Sequence, residues 1–341
     1  MPPSNMPPTE GLPVHEPGRK ATWFELFFDL VFVVAVAQLS AAYAHHFDWA
    51  GAAQSAFLLL VMWWCWLGHT FHATRFDQQR ADQRALGLVQ ILAVCVIGYG
   101  VPDAFGARGP AFAIGLAAFK LLLALAYLRE WRWVGARGLV RAYAGLYLLQ
   151  AALWAVSAAL PPTPRLTLWL LALALDLASP WWVARYTTVV RPHPEHLPER
   201  FGLFTIILLG EGTASVVHAL DHGSTLHTPA VAAALCGLAL TFLTWLGYFE
   251  LARAHHEREI QGSAGGRNLR LWAYGHVPIY VGVFSLAAGT VAMAGDAAWT
   301  VQRLLLYVAG IALMPLGLGL LRAASRKPAG GAHGEHRPPA T

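Results

Sequence analysis

The chain has 341 residues, of which 56% are hydrophobic and 13% are charged, and its formal net charge is +5. A soluble domain averages about 45–50% apolar and about 25% charged residues, so a globule of this size has too little interior for so much apolar surface. The composition excludes an ordinary soluble enzyme and a disordered chain. It predicts an all-α fold, a polytopic bundle of about ten transmembrane helices.

Apolar segments of about 20 residues follow one another along the chain, and each is long enough to cross about 30 Å of hydrocarbon as a helix. Ten spans are predicted, at 23–44, 50–73, 84–104, 109–129, 139–160, 165–186, 200–219, 229–252, 270–293 and 298–321. The proline-rich residues 1–22 lack an apolar signal region and are expected to form a disordered leader. Residues 323–341 are expected to form a similar tail, which leaves 23–322 as one membrane domain.

The basic residues predict the orientation of these spans. Of the 24 Lys and Arg residues, 20 fall in the leader, the tail or the even-numbered connections, and only Arg108 and Arg165 fall on the other side. The remaining two, Lys120 and Arg303, lie within spans. Since basic loops remain in the cytoplasm, both termini are predicted to be cytoplasmic. The net positive charge is thus explained by basic loops beside a lipid bilayer, which is the expected partner. No nucleic-acid partner is expected.

Acidic side chains inside the predicted spans are the strongest functional signal, because an ionised carboxylate in hydrocarbon costs at least about 2.5 kcal/mol. Glu25 and Asp29 are four residues apart and share a helix face. Asp176, Glu211 and Lys120 are at similar depths and are expected to meet at the midplane. The deep acids Asp29, Asp176 and Glu211 are offset only by Lys120, which predicts a net-negative site of the kind found in proton relays and cation pathways. Asp29 and Glu211 are expected to face one shared polar interior. Helix packing through hydrogen bonds is the alternative.

Further candidates lie nearer the span ends. Glu250 ends the eighth span, and His276 lies two residues before a proline that leaves backbone groups unpaired. His276 with His69, Glu25 and Asp29 could relay protons or bind a transition metal if the first, second and ninth spans touch.

Three other histidines complete the candidate set. His72 accompanies His69 on the second span, and His218 and His222 are four residues apart after the seventh. That spacing suits zinc if the segment is helical, whereas a solvated polar loop is the alternative. No nucleotide or dinucleotide motif is present, so no cofactor and no metal are expected. The oligomeric state is not predicted.

Five segments carry a family resemblance: ELFFDLVFV at 25–33, RFD at 75–77, HLPERFGLFTIILLGE at 196–211, TFLTWLGYFE at 241–250 and YGHVPIY at 274–280. In these segments the chain resembles the bacterial low temperature requirement A (LtrA) family of integral membrane proteins. The resemblance extends from Trp23 to Leu321.

The resemblance implies a multi-pass protein of the bacterial inner membrane, and it does not imply a reaction. Some positions depart from the family pattern. Gln78 and Gln79 follow RFD where acidic residues are usual, and Glu250 stands where Asp is frequent. Gly212 follows the Gly-Glu pair where Ser is usual. These departures alter polar groups and leave the predicted fold unchanged.

Three functions follow from these observations. The favoured one is transport or channel-like movement of protons, cations or a small coupled solute through the acidic site. The second is an intramembrane hydrolase in which His69, His72 and His276 act with Asp29 to activate water. The third is a sensor or structural membrane protein without turnover. No residue pattern names a substrate.

The topology makes a direct prediction. Reporter fusions at Thr9 and after Arg326 should both report the cytoplasm, and fusions at Asp48 and Ser224 should report the other side of the membrane. A cytoplasmic signal from Ser224 would contradict ten spans with both termini inside.

Overall fold

The computed structural model describes residues 20–76, 80–187, 189–221, 228–253, 265–294 and 300–324. They form eleven α-helices and no strand within these ranges, which confirms the all-α prediction. The helices are α1 Trp23–His45, α2 Trp49–Ala73, α3 Ala81–Gly100, α4 Gly109–Arg129, α5 Arg137–Ala158, α6 Pro162–Trp182, α7 Ala184–Thr187, α8 His196–Asp221, α9 Thr228–Arg253, α10 Gly265–Ala294 and α11 Val301–Ala324. The expected leader before Lys20, the tail after Ala324 and His222 lie outside the described residues.

A long helix occupies each of the ten predicted spans. Among the described residues, nine of these helices are long and apolar enough to cross a membrane. The one that falls short of that hydropathy is α6, whose apolar run is interrupted by Arg165, Asp176 and Pro180. The predicted sixth span is therefore the least apolar of the ten, although its helix is full length.

Helix boundaries differ from the predictions at three places. Helix α8 begins at His196 and α10 at Gly265, both earlier than predicted. Helix α6 ends at Trp182, and a break at Val183 separates it from the short α7. The early start of α8 matters for the site because it moves Arg200 from a connection into the body of a helix.

Side-chain caps define where the first two helices begin. Thr22 and Glu25 form a capping box, in which the Glu25 backbone N–H donates to Thr22 Oγ1 (3.3 Å) and the Thr22 N–H donates to Glu25 Oε2 (2.8 Å). Asp48 caps α2 by accepting from the Gly51 N–H (2.7 Å). Glu25 is thus partly engaged in starting its own helix.

The long helices run alternately up and down, so their ends meet at two levels. At the near end, defined as the end where α1 begins, the Ala21 N–H donates to Glu199 (2.9 Å) and the His193 N–H donates to the Thr74 carbonyl (2.9 Å). At the far end, α1, α8 and α10 terminate around one cavity. Helix α10 packs against α1, α2, α8, α9 and α11 and is the most buried of the apolar helices.

The distribution of polar and apolar side chains is that of a protein surrounded by lipid. Val34, Phe242 and Leu305 are more than half exposed on the outside of the bundle, whereas Asp29 and Lys120 are 0% exposed inside it. Exposed apolar area on this scale is stable only when hydrocarbon covers it. The fold is therefore built for a bilayer.

Helices α3 and α4 approach closely because glycines line their contact. A Cβ at Gly115 would lie 2.9 Å from the Ile97 backbone nitrogen, and a Cβ at Gly100 would lie 2.7 Å from that of Phe112. Small residues at such contacts allow tight van der Waals packing in membranes.

This contact predicts the effect of a larger side chain. Gly115→Leu should destabilise the protein by about 1–3 kcal/mol, because backbone atoms cannot move aside as a flexible side chain would. The thermal midpoint of the detergent-purified protein measures the effect. Gly145→Leu is the matched control, since a Cβ there has no neighbour within 4 Å. Equal midpoints for the two variants would contradict the packing argument.

Candidate functional site

One buried guanidinium joins α1 to α8 at the near end. Arg200 donates through Nε to Asp29 Oδ2 (3.0 Å) and through Nη2 to Asp29 Oδ1. Its Nη1 lies 3.2 Å from Glu25 Oε1, and all three side chains are 0% exposed. Bidentate pairing of this kind fixes geometry as well as charge.

Two further side chains complete this cluster. Trp66 Nε1 on α2 donates to Asp29 Oδ1 (2.7 Å), and His196 Nε2 lies 3.3 Å from Glu25 Oε2. We call Glu25, Asp29, His196 and Arg200 the near-end cluster. In this cluster Arg200 contacts both carboxylates, and His196 contacts Glu25.

The first turn of α8 is anchored so that its basic side chains face α1. His193 Nδ1 accepts from the N–H groups of Glu195 (3.3 Å) and His196 (3.2 Å), which caps the helix. Arg75 Nε donates to the Val190 carbonyl (3.1 Å) and ties the preceding segment to the end of α2. His196 and Arg200 are four residues apart and therefore lie on one helix face.

A second buried ion pair lies between α4 and α6. Lys120 Nζ is 2.8 and 2.9 Å from the two carboxylate oxygens of Asp176, and the side chains are 0% and 1% exposed. The ring of Tyr147 has its centroid 5.4 Å from the same ammonium group. These two residues meet as the sequence predicted.

Glu211 lies elsewhere. It lines a cavity at the far end, formed by α1, α8 and α10, whose empty volume including open solvent is about 830 Å³. We call this the far-end cavity; its polar lining residues are Gln38, Ser40, His45, Glu211, Ser215 and His218. Glu211 makes no hydrogen bond or ion pair with any residue in the part of the chain described. The imidazole of His218 is close enough for electrostatic attraction.

Three expectations are corrected by this geometry. Glu211 does not join Lys120 and Asp176, and it does not share an interior with Asp29. The expectation that Lys120 alone offsets the deep acids is also wrong, because Arg200 is buried and paired. Arg200 was missed because a helix starting at residue 200 leaves it in a basic connection. The spacing of His196 and Arg200, which repeats that of Glu25 and Asp29, was the available signal.

Apolar side chains separate the two polar centres. Arg200 and Glu211 are on one helix at a distance of about 16 Å along its axis. Between them α1 and α8 contribute Phe32, Val36 and Leu208, all at most 2% exposed. The α1–α8 contact is thus polar near both ends and dry in its middle.

The candidate histidines His69 and His276 are each fixed by their own hydrogen bonds. His69 Nδ1 donates to Gln90 Oε1 (3.0 Å), and its ring stacks on Phe28 with centroids 3.7 Å apart. His276 Nδ1 donates to the Trp272 carbonyl (2.8 Å), so its Nε2 meets the Tyr248 hydroxyl (2.9 Å).

The remaining candidates lie apart from these. His72 packs against Tyr127, Glu250 is exposed on α9, and His218 belongs to the far-end cavity. Within the described ranges, no three His, Cys, Asp or Glu side chains are grouped to hold a metal ion.

Long apolar helices with charged pairs inside and apolar side chains outside define a polytopic α-helical membrane protein. The profile of the family described as bacterial low temperature requirement A protein (LtrA) matches residues 20–333, and the chain belongs to this family. A protein of Rhizobium meliloti (strain 1021), described as uncharacterized, is 30% identical over 287 residues, which cover 79% of this chain and 68% of that protein. No solved structure matches significantly. The resemblance seen in the sequence is confirmed.

The Lys120–Asp176 pair predicts a double-mutant result. Lys120→Met alone should cost about 3–5 kcal/mol, because it leaves a buried carboxylate without its partner. Adding Asp176→Leu should recover most of that loss, and denaturation of the purified protein measures both. A double variant no more stable than Lys120→Met would mean that the pair does more than neutralise charge.

Proposed function

We propose that the protein moves protons or small cations across the bacterial inner membrane, alone or coupled to a small solute, along the α1–α8 interface. The observation that carries this proposal is Glu211, a carboxyl group within an apolar helix that lines a cavity with five other polar residues and has no ion-pair partner among the described residues. Intramembrane acids of this kind are found on proton and ion pathways.

The cost of burying charge supports a role in exchange. A carboxylate at this depth needs water, a proton or a cation. The far-end cavity has room for water, and Gln38 and Ser215 offer polar groups beside Glu211. His45 and His218 line the same cavity. Glu211 is therefore suited to take up a proton or cation from the far end.

The near-end cluster closes the other end of the α1–α8 contact. Its two carboxylates share the guanidinium of Arg200, which holds the two helices together there. The dry layer between Glu211 and this cluster, which includes Phe32 and Leu208, blocks a continuous file of water. This arrangement favours a gated carrier, in which α1 and α8 move relative to each other, over an open pore.

Orientation follows from the basic residues. Their 20-to-2 distribution supports a cytoplasmic near end with both termini inside. The far-end cavity would then face the periplasm, and protons would enter it down the usual gradient of a bacterial cell.

The two alternative functions, a sensor or structural protein and a hydrolase, are supported to different extents. Full pairing of Arg200 and Lys120 is what a sensor or structural protein would also contain, so that function remains the second candidate. The hydrolase hypothesis receives no support from the geometry, because Asp29 bonds to Trp66 and Arg200, whereas His69 and His276 bond to Gln90 and Tyr248.

Proteoliposomes test the proposal. An imposed pH gradient or cation gradient should drive flux that a trapped pH-sensitive dye or cation indicator reports. Glu211→Gln should reduce this flux by about 100-fold, because an amide keeps the shape of the group and cannot carry a proton.

Glu250→Gln is the matched control, since Glu250 is an exposed acid of α9 outside the cavity. It should retain the flux of the unmodified protein. Equal flux in the two variants would contradict a role for Glu211. Absence of flux from the unmodified protein over a panel of cations and pH gradients would favour the sensor or structural function.

A further inference from the structure

A second cavity opens at the near end between α2, α5, α6 and α10, and its empty volume including open solvent is about 640 Å³. We propose that it binds an amphipathic organic anion, with a phosphate or carboxylate head held by Arg75 and Arg270 and an apolar body against tryptophan and tyrosine rings. We call it the aromatic cavity. Residues that carry the argument are Trp63, Trp64, Arg75, Tyr147, Arg270 and Tyr274.

Arg75 is a buried cation without a carboxylate partner among the described residues. Its side chain is 2% exposed, and it donates through Nε to the Val190 carbonyl (3.1 Å) and through Nη1 to the Phe71 carbonyl (3.3 Å). Nη1 also approaches the Tyr127 hydroxyl (3.5 Å). Its Nη2 makes no hydrogen bond within the described ranges, and the Arg75 side chain lines the cavity.

Charge balance distinguishes Arg75 from the other buried cations. Arg200 and Lys120 each pair with carboxylates, whereas the contacts of Arg75 within the described part of the chain are with neutral groups and aromatic rings. A buried charge without compensation is costly, and an anion in the cavity would supply it. The planar guanidinium presents parallel N–H groups that match a phosphate or carboxylate.

A second cation lines the same cavity. Arg270 on α10 lies over the Trp181 ring at 5.9 Å, and no Asp or Glu belongs to the described lining. Two guanidinium groups without an acid make the cavity selective for anions over cations.

The remainder of the wall is apolar and aromatic. Trp63 and Trp64 are in edge contact with each other, and Trp64 also meets the ring of Tyr274. Pro180 interrupts the hydrogen-bonding of α6 beside the cavity, where a helix bends most easily. An apolar body with a charged head fits such a wall, whereas a bare inorganic anion would leave it uncovered.

The ligand could come from two sources, an anionic lipid of the bilayer or a free amphiphile. Both share the chemistry of a charged head on an apolar body. The inference does not depend on the proposed proton movement, because it concerns other helices and requires binding only.

Binding measurements on the full chain in neutral detergent test the inference. Titration with hexyl phosphate should give saturable binding, whereas hexyltrimethylammonium and inorganic phosphate should bind at least about tenfold more weakly. Arg270→Gln should weaken hexyl phosphate binding by about tenfold, because one charge-assisted contact is lost. Arg75→Lys keeps the positive charge but loses the parallel N–H groups of the guanidinium, so it should also weaken hexyl phosphate binding.

Arg267→Gln is the matched control, since Arg267 is exposed on α10 and does not line the cavity. It should bind as the unmodified protein does. Equal affinities for Arg267→Gln and Arg270→Gln, or equal binding of hexyl phosphate and hexyltrimethylammonium, would overturn the proposal. So would inorganic phosphate binding as tightly as hexyl phosphate.

Native mass spectrometry of the purified protein distinguishes the sources. An anionic phospholipid retained by the unmodified protein and lost from Arg270→Gln identifies a bilayer lipid as the ligand. Binding of hexyl phosphate without any retained lipid identifies a free amphiphile. Retention of the same lipid by both variants, with hexyl phosphate unbound, would contradict the site.

Discussion

The near end of the bundle depends on one interaction, the pairing of the Arg200 guanidinium with the carboxylates of Asp29 and Glu25. It joins the first helix to α8 across 171 residues of sequence. The caps provided by Thr22 and His193 set where these helices begin and therefore at what height the charges meet. In a dry interior an unpaired member of this set would be strongly destabilising, so the cluster sets the register of α1 against α8 in this conformation.

The buried charges fall into two groups with different meanings. Arg200 and Lys120 have carboxylate partners and hold helices together. Glu211 and Arg75 have no partner of opposite charge among the described residues, and each lines a cavity, at the far and near ends respectively. Since uncompensated charge in a membrane protein marks a site of function, the two cavities carry the functional proposals, and the paired charges carry the fold.

The sequence predicted the spans and identified the carboxyl groups inside them. Both follow from each helix taken separately, because hydropathy and the cost of burying a charge are properties of a single helix. Counting residues gives the depth of a side chain and not its direction around the helix axis. Depth alone was sufficient to predict that Lys120 and Asp176 meet. It gave the wrong neighbours for Glu211, which faces other helices. Arg200 was missed because a helix boundary moved by one turn changes a loop residue into a buried one. Arg75 lay in the RFD motif, yet only packing reveals that its charge has no acidic partner.

Infrared difference spectroscopy of the protein in proteoliposomes tests the account most directly. A change of pH on the side of the far-end cavity should alter a carboxyl band that Glu211→Gln removes and Asp29→Asn leaves in place, because the proposed function assigns proton exchange to Glu211, whereas Asp29 is held by Arg200. A band that persists in Glu211→Gln, or that disappears in Asp29→Asn, would contradict the division between paired structural charges and unpaired functional ones.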